Sequence, residues 1–260
     1  MQLPLNGVKD GLARNSSLTP ISCWIVACAC ATLLAACGGF ESAGTGGPAV
    51  DAPELRVGDT WTYRAADGFR TPLLWNETHE VIAVAPGAIT VRVTETGPSA
   101  RGTRTEIWAT PGQLASGPLF DEETRSFTPP ARIYDFPMAP GQRWNQWTSN
   151  QWIDRAAGNV SRSGQINRYV TVGDWVKVPT PAGTYDALAL RVLMRLDDEE
   201  FWRWPTTCNY LVYYAPAVGA MVRAEKNAEY WEKGDRRDGI GAIRSQHATL
   251  ELISYTQGPR

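Results

Sequence analysis

Residues 184–196 read TYDALALRVLMRL, and the even-numbered positions from 188 to 196 are all apolar. Charged residues fall on the other parity, at Arg191 and Arg195. This period of two is typical of a β-strand with one buried face, because successive side chains of a strand point to opposite sides. A helix is the other interpretation, but the strict alternation and the Pro-Ala-Gly-Thr turn at its start favour a strand.

Other parts of the chain alternate with the same period, and turn residues separate them. Three such segments are residues 89–93, 218–230 and 248–255. Residues 80–85 precede the first of them through Pro86-Gly87, which is a hairpin signal. No long amphipathic pattern with helix caps interrupts the series. We therefore predict an all-β domain, built as an antiparallel curved sheet, an open barrel or a sandwich.

The composition is that of a globular protein. Of the 260 residues, 43% are hydrophobic and 20% are charged, which is ordinary for a folded domain. The net charge is −2 and the pI is about 5.8. Because proteins that bind nucleic acid carry an excess of basic residues, this balance argues against nucleic acid as a partner.

The N-terminus has the features of a bacterial secretion signal. Residues 1–20 are polar and contain Lys9 and Arg14, and residues 21–36 form an uncharged apolar run. This run is shorter than the roughly 20 residues that cross a bilayer as a helix, and it matches the apolar core of a signal peptide. We predict that residues 1–36 are a signal peptide, with an uncleaved membrane anchor as an alternative.

The apolar run ends in Leu34-Ala35-Ala36-Cys37, which resembles the lipobox of bacterial lipoproteins. The resemblance implies transfer of diacylglycerol to the Cys37 thiol, cleavage after Ala36 and acylation, as with palmitate, of the new amino group. Each buried methylene contributes about 0.8 kcal/mol, so such chains would hold the protein at a bilayer. Gly38 follows Cys37, and the sorting pattern of lipoproteins then implies an outer-membrane protein of the cell envelope that faces the periplasm. The alternative is an ordinary signal cut at Ala36.

The mature chain divides into a short tether and one domain. Residues 38–53 are rich in Gly, Ser, Ala and Pro and have no apolar period, which is typical of a flexible linker. We predict a lipidated N-terminus and tether over residues 37–53. Residues 54–260 contain no second linker, and their length suits a single β-rich domain.

Five segments of this domain carry a family resemblance. They are LRVGDTWTY at 55–63, FPMAPGQRW at 136–144, VKVPTPAGTYDAL at 176–188, YYAPAVG at 213–219 and LELISY at 250–255. In this order they resemble a TapB-like family of bacterial envelope proteins, built around a β-rich domain of unknown function. The resemblance implies a fold and a location, and it transfers no catalytic residue. Thr180, between Pro179 and Pro181, departs from a tighter turn expected there.

The chain carries no recognisable catalytic or metal motif. Neither His79 nor His247 has a second ligand at a spacing typical of a metal site. No nucleophile elbow or phosphate-binding loop is present. Acidic runs at residues 121–123 and 197–200 could supply a carboxylate pair or calcium ligands, but contiguous strand residues point to opposite faces, which favours solvated turns. We predict no catalytic residue, no metal and no cofactor.

Tryptophan is unusually frequent, with 11 residues in the chain. Trp202 and Trp204 lie two apart, so on a strand they share one face. If this face is exposed, the pair could stack on sugar rings or line an apolar pocket. If it is buried, the two rings are core. Trp202 and Trp204 are therefore candidate ligand-binding residues, with the core as the alternative.

These observations leave three hypotheses for function. The first is a non-enzymatic envelope lipoprotein that is anchored through Cys37 and binds an envelope lipid, glycan or protein. The second is a hydrolase or binder of envelope polymers that uses Glu199 or Glu200 near the tryptophans. The third is an assembly factor without a small ligand. Cys208 lies in the apolar run 208–212 and is predicted to be a small buried side chain.

Overall fold

The computed structural model describes residues 47–120, 123–153, 160–197, 200–234 and 242–259, without the side chains of residues 153 and 161. These ranges contain twelve β-strands and no helix, which confirms the all-β prediction. The strands are β1 (Thr60–Asp67), β2 (Leu73–Ala85), β3 (Ala88–Thr96), β4 (Thr103–Thr110), β5 (Gln113–Gly117), β6 (Arg125–Arg132), β7 (Arg143–Ile153), β8 (Val160–Thr180), β9 (Gly183–Asp197), β10 (Thr206–Ala215), β11 (Ala220–Tyr230) and β12 (Ile243–Thr256). Within the described ranges, no helix is long and apolar enough to cross a membrane.

Each strand pairs antiparallel with the next along the chain, and β1 pairs with β12, so the sheet closes into a barrel. The closing register places Thr60 opposite Thr256 and Asp67 opposite Ala248. In a closed barrel every strand has a neighbour on both sides, so there is no edge strand. The alternating pattern allowed a curved sheet, an open barrel or a sandwich, and the structure is a closed twelve-stranded barrel.

The parity of the side chains follows the predicted pattern. In β9, the even-numbered apolar residues from Leu188 to Leu196 are all buried in the interior. Strands β2 and β3 form the predicted hairpin, with Ala85 opposite Ala88 across the turn. Because side chains alternate between the interior and the outer surface, a charged residue on the inward parity of a strand must lie inside the barrel.

The connections divide between two ends of the barrel. We call the end that carries the turns β2–β3, β4–β5, β8–β9 and β10–β11, together with residues 47–59, the proximal end. The distal end carries the loops β1–β2, β3–β4 and β9–β10. The predicted signal peptide and Cys37 lie outside the described residues, which begin at residue 47 at the proximal end.

The last residues of the predicted tether differ from the prediction, because they lie against the barrel. Val50 is buried, its N–H donates to the carbonyl oxygen of Met138 at 2.7 Å, and the Met138 N–H donates back at 2.8 Å. An apolar side chain and two backbone hydrogen bonds thus dock residue 50 on the loop before β7. The described residues all belong to one compact unit, Ala43–Arg260.

Both ends of the domain meet at the proximal end. Gly58 has a φ of +93°, which only glycine adopts without strain, and its N–H donates to the Val81 carbonyl oxygen at 2.8 Å. Asp59 is buried and accepts a hydrogen bond from the Gly258 N–H at 2.8 Å. A Cβ at position 258 would lie 2.3 Å from the Val57 carbonyl oxygen, so the close approach requires glycine there.

Two clusters of buried apolar side chains fill much of the interior. The first is centred on β8, β9 and β10, and the second on β1, β2, β3, β11 and β12. Trp108 and Val212 pack against both clusters. An eight-stranded barrel is just wide enough for side chains to fill. Twelve strands enclose more space, and part of that space remains open between the two clusters.

Side chains replace the backbone ladder in one part of the barrel wall. Pro129 and Pro130 lie in β6 and have no N–H to donate. Gln146 of β7 bridges this gap, because its side chain accepts from the Arg132 N–H at 2.7 Å and donates to the Pro130 carbonyl oxygen at 3.0 Å. The Arg132 carbonyl oxygen accepts a hydrogen bond from Nη1 of Arg168 on β8, which holds that guanidinium in the interior.

Candidate functional site

A cavity of about 200 Å³ lies inside the barrel. Residues from most strands line it, including Trp61, Tyr63, Glu77, His79, Arg104, Glu106, Arg168, Leu190, Val192, Tyr210, Val212 and Lys226. It is larger than the roughly 150 Å³ engineered cavity that binds benzene. It is smaller than the roughly 300–1,000 Å³ of pockets for drug-sized ligands. The space therefore suits one small organic molecule.

A buried arginine with three glutamates forms one wall of this cavity. Arg104 on β4 contacts three carboxylates, which are Glu77 Oε2 at 3.2 Å, Glu95 Oε1 at 2.8 Å and Glu106 Oε1 at 3.3 Å. Only 5% of the Arg104 side chain is exposed. Each glutamate accepts a second hydrogen bond, from Trp75 Nε1 at 3.3 Å, Arg101 N at 2.7 Å and Trp108 Nε1 at 3.3 Å respectively. Buried charges persist when they are paired and hydrogen-bonded in this way.

Strand pairing explains how these residues meet. Glu77 on β2 lies opposite Glu95 on β3, and Val93, the inward residue before Glu95, lies opposite Arg104. All four residues occupy the inward parity of their strands. Two carboxylates opposite one another would repel each other, so Arg104 is the group that makes their burial possible.

His79 lies two residues after Glu77 on β2 and contacts the same cluster. Its Nε2 lies 3.0 Å from Glu77 Oε1. Burial would raise the pKa of Glu77, but the hydrogen bond and charge of His79, with the charges of Arg104 and Lys226, hold that pKa well below its usual range. Glu77 is therefore a permanent anion at neutral pH.

Two cations line the cavity without a carboxylate partner among the described residues. The ammonium of Lys226 makes no hydrogen bond or ion pair there, and it lies 5.8 Å from the ring centroid of Tyr210. Arg168 Nη1 donates to the carbonyl oxygens of Arg132 and, at 3.3 Å, Ile133. Burial lowers the pKa of Lys226, and it lowers the pKa of Arg168 to about 10. An anion bound beside either group would raise the pKa of that group and so favour its charged form.

Buried tyrosines complete the polar lining. Burial raises the pKa of Tyr63 well above its usual value, and it raises the pKa of Tyr134 to about 12. Tyr63 donates its hydroxyl to the Met221 carbonyl oxygen at 2.9 Å. These hydroxyls remain protonated at neutral pH and act as hydrogen-bond donors or acceptors, not as bases.

The sequence did not single out these interior charges. Their signal was available, because Glu95 continues the parity of Ile89, Val91 and Val93, and Lys226 continues that of Val222 and Ala224. When every second residue of a strand is apolar, a charged residue at one of those positions is predicted to point into the interior. Only the barrel shows that several such residues from different strands face one another.

Trp202 and Trp204 lie away from the cavity. The prediction placed them on a strand, but residues 201–205 form the loop between β9 and β10 at the distal end, because Pro205 and the local turn interrupt the ladder. The core interpretation is also wrong, since 39% of Trp202 and 48% of Trp204 is exposed. Trp202 packs against Tyr230, and Lys233 lies 5.3 Å from the Trp204 ring. A binding role for them stays a prediction.

We expect Trp202→Ala and Trp204→Ala to lower the free energy of unfolding by no more than about 1 kcal/mol, because both residues are partly exposed and lie in a loop outside the two apolar clusters. The matched control is Trp61→Ala in the core, where the ring is 6% exposed and Nε1 donates to the Val218 carbonyl oxygen. That change should cost about 3–5 kcal/mol. Urea unfolding at equilibrium measures all three, and a cost at Trp204 as large as at Trp61 would contradict the exposed position.

The structure also shows the contacts of Cys208 and His247, the other two residues considered in the sequence. Cys208 is fully buried in the first apolar cluster, as predicted. His247 Nδ1 lies 2.7 Å from the Asn227 side-chain oxygen, and its ring stacks on Phe69. No group of three or more potential metal ligands occurs in the described ranges.

The two acidic runs come together at the distal end. Residues 121, 122, 198 and 199 lie outside the described residues, and Glu199 is one of them. Glu123 and Glu200 both contact Arg162, at 2.5 Å and 3.0 Å. Glu200 also accepts from Trp202 Nε1 at 3.2 Å. Their oxygens are therefore engaged in ion pairs and hydrogen bonds on the surface of the barrel.

Sequence comparison finds no protein-family model and no curated protein that matches the chain. Similar solved structures include a candidate exported protein with a YmcC-like fold from Bacteroides fragilis NCTC 9343, with 12% identity and a TM-score of 0.49, covering 81% of this chain and all of that one. A candidate lipoprotein from Parabacteroides distasonis ATCC 8503 has 13% identity and a TM-score of 0.45, with the same coverage. The hypothetical lipoprotein YmcC from Escherichia coli (K12) has 7% identity and a TM-score of 0.40, covering 80% of this chain and 92% of that one.

Proposed function

We propose that this protein is a non-enzymatic lipoprotein of the cell envelope that binds a small ligand inside its barrel. The observation that carries the proposal is the cavity of about 200 Å³, lined by two cations that form no ion pair with a carboxylate in the described part of the chain. Unpaired buried charge costs free energy, so a fold keeps it where a ligand completes the pairing.

The anchoring part of the proposal rests on the sequence. The lipobox at Cys37 supports lipidation, and Gly38 supports sorting to the outer membrane with the barrel facing the periplasm. Residues 47–59 lie at the proximal end of the barrel, and Trp202 and Trp204 lie at the distal end. An exposed tryptophan pair there could hold an envelope glycan or protein through stacking.

We also propose membership of the TapB-like envelope family. The five segments that carry this resemblance run into the proximal end: they precede β1 and β7, form the β8–β9 and β10–β11 turns, and end β12. There they close the barrel, for example through the hydrogen bond from Trp61 Nε1 to the Val218 carbonyl oxygen at 2.7 Å. Motifs that close the barrel are what proteins with a common fold would share, which supports the proposed membership.

A hydrolase is the weaker alternative. Glycoside hydrolysis needs one carboxyl group that is protonated near neutral pH and one that is ionised. The pKa of Glu77 in the cavity is held well below its usual range, so this carboxyl group is not a proton donor near neutral pH. Glu200, which the sequence offered for this role, is engaged with Arg162 and Trp202.

Native mass spectrometry of the mature chain from residue 38 onwards, secreted into a bacterial periplasm, tests the binding function. We expect a small co-purifying mass that denaturation removes. Val192→Phe, which fills the cavity from β9, should abolish it, whereas Leu193→Phe on the outward face of the same strand should retain it. A clean apo mass for the wild type, repeated from envelope extracts, would favour the assembly role without a ligand.

A further inference from the structure

The unpaired charge that lines the cavity is positive. Glu77 and Glu106 also line it, but both are bound to Arg104 and to a tryptophan Nε1. Lys226 and Arg168 have no carboxylate partner among the described residues. The charges of Glu77 and Glu106 raise the pKa of Lys226 from a distance, but neither carboxylate forms an ion pair with it among the described residues, so its ammonium is left with room for a direct anionic partner.

The two cations converge on one tyrosine. Lys226 is on β11 and Arg168 on β8, with β9 and β10 between them. Tyr210 on β10 lies opposite Lys226 in the strand register, and its hydroxyl also interacts with the charge of Arg168. Neighbouring strands are about 4.8 Å apart, and both cations line the same cavity, so a small headgroup between β8 and β11 can lie within reach of both side chains.

Space is left around the ammonium group of Lys226. Its inward neighbours on β11 are Ala224 and Ala228, and its partner on β12 is Ala248. All three are buried and carry only a methyl group. Protein interiors are normally close-packed, so small residues around a long cation leave room that a ligand can fill.

The apolar surface of the cavity adjoins these cations. Leu190 and Val192 of β9 and Val212 of β10 line it between the strands of Arg168 and Lys226. A ligand that reaches both features needs a charged head and a short apolar body. The nearby carboxylates of Glu77 and Glu106 disfavour a second negative charge on that head, which favours a carboxylate over a phosphate.

We propose that the cavity binds the carboxylate of a small apolar organic acid, and that Lys226 and Arg168 hold its negative charge. This inference rests on the proposed binding function and names the class of its ligand. A ring the size of benzene fits a cavity of roughly 150 Å³, so phenylacetate is a suitable probe, and phenylacetamide is its neutral counterpart of the same shape.

Calorimetric titration of the mature chain from residue 38 onwards, which contains the whole compact unit, tests this assignment. We expect the wild type to bind phenylacetate at least about tenfold more tightly than phenylacetamide. Lys226→Met should weaken phenylacetate binding by about 10- to 100-fold and leave phenylacetamide unchanged. Lys226→Arg should restore most of the affinity. Lys177→Met, an exposed lysine on β8, is the control and should change neither.

The outcomes separate the two proposals. Equal binding of both probes, unchanged in Lys226→Met, would overturn the carboxylate assignment and leave a ligand cavity in place. If neither probe binds, the mass of the co-purifying molecule decides: a neutral molecule overturns the assignment, and an acid lost from Lys226→Met supports it. If no molecule co-purifies either, both proposals fail.

A second readout needs no ligand. Lys226 is half-buried and forms no ion pair among the described residues, so the desolvation of its ammonium should cost stability in the empty protein. We expect Lys226→Met to raise the midpoint of thermal unfolding by about 2–6 °C. A structural lysine would behave in the opposite way, so a lowered midpoint in Lys226→Met would overturn the ligand-binding role.

Discussion

Replacing Arg104 with methionine should lower the free energy of unfolding by about 4–5 kcal/mol, the largest effect expected from one substitution in this barrel. Arg104 contacts Glu77, Glu95 and Glu106 at 2.8–3.3 Å, and all four side chains are buried. Methionine keeps only the apolar stem of the side chain and leaves three carboxylates facing one another without the guanidinium between them. Either the carboxylates take up protons or the strands separate, and both cost free energy.

Arg92→Met is the matched control for this measurement. Arg92 lies on the neighbouring strand β3, and it pairs with Glu80 at 2.6 Å on the outer surface, where both side chains are solvated. Exposed pairs contribute about 0–1 kcal/mol, so urea unfolding should show little change. Equal losses in Arg92→Met and Arg104→Met would mean that burial does not set the cost, and our account of the cluster would be wrong.

The all-β class followed from local chemistry. The alternation of residues 184–196 predicted β9, and Pro86-Gly87 predicted the β2–β3 hairpin, because parity and turn residues act over a few positions. Closure of the barrel depends on the pairing of Thr60 with Thr256 across the whole chain. No short-range pattern encodes that pairing, so the alternation was compatible with a curved sheet, an open barrel or a sandwich and did not predict closure.

The candidate site was harder to predict for a related reason. Glu95 and Lys226 each break an apolar parity, which marks them as buried charges one strand at a time. Their partners come from other strands, and only the register of the closed sheet brings Arg104 to Glu95. Trp202 and Trp204 were chosen by their spacing on an assumed strand, and a loop has no such parity.

Glu77→Gln should change how the free energy of unfolding depends on pH, because Glu77 belongs to the same buried cluster. At about pH 7 we expect the variant to lose about 3 kcal/mol of unfolding free energy, because Arg104 keeps two of its three carboxylates. The folded-state pKa of Glu77 lies well below its unfolded value. Its contribution is therefore fully present above the unfolded pKa of about 4.3, and it is lost as the pH falls towards the folded pKa.

The difference between wild type and Glu77→Gln should accordingly be largest near neutral pH and shrink steadily below about pH 4. Glu80→Gln is the control on the same strand, since Glu80 is solvated and pairs only on the outer surface with Arg92. Urea unfolding of both variants over a pH series measures the effect. A difference that stays constant down to about pH 3 would show that shape, and not the charge of Glu77, carries its contribution. A difference that shrinks would establish that the barrel interior holds a carboxylate that is a permanent anion at neutral pH and that the cations around it, Arg104 above all, stabilise the fold through its charge.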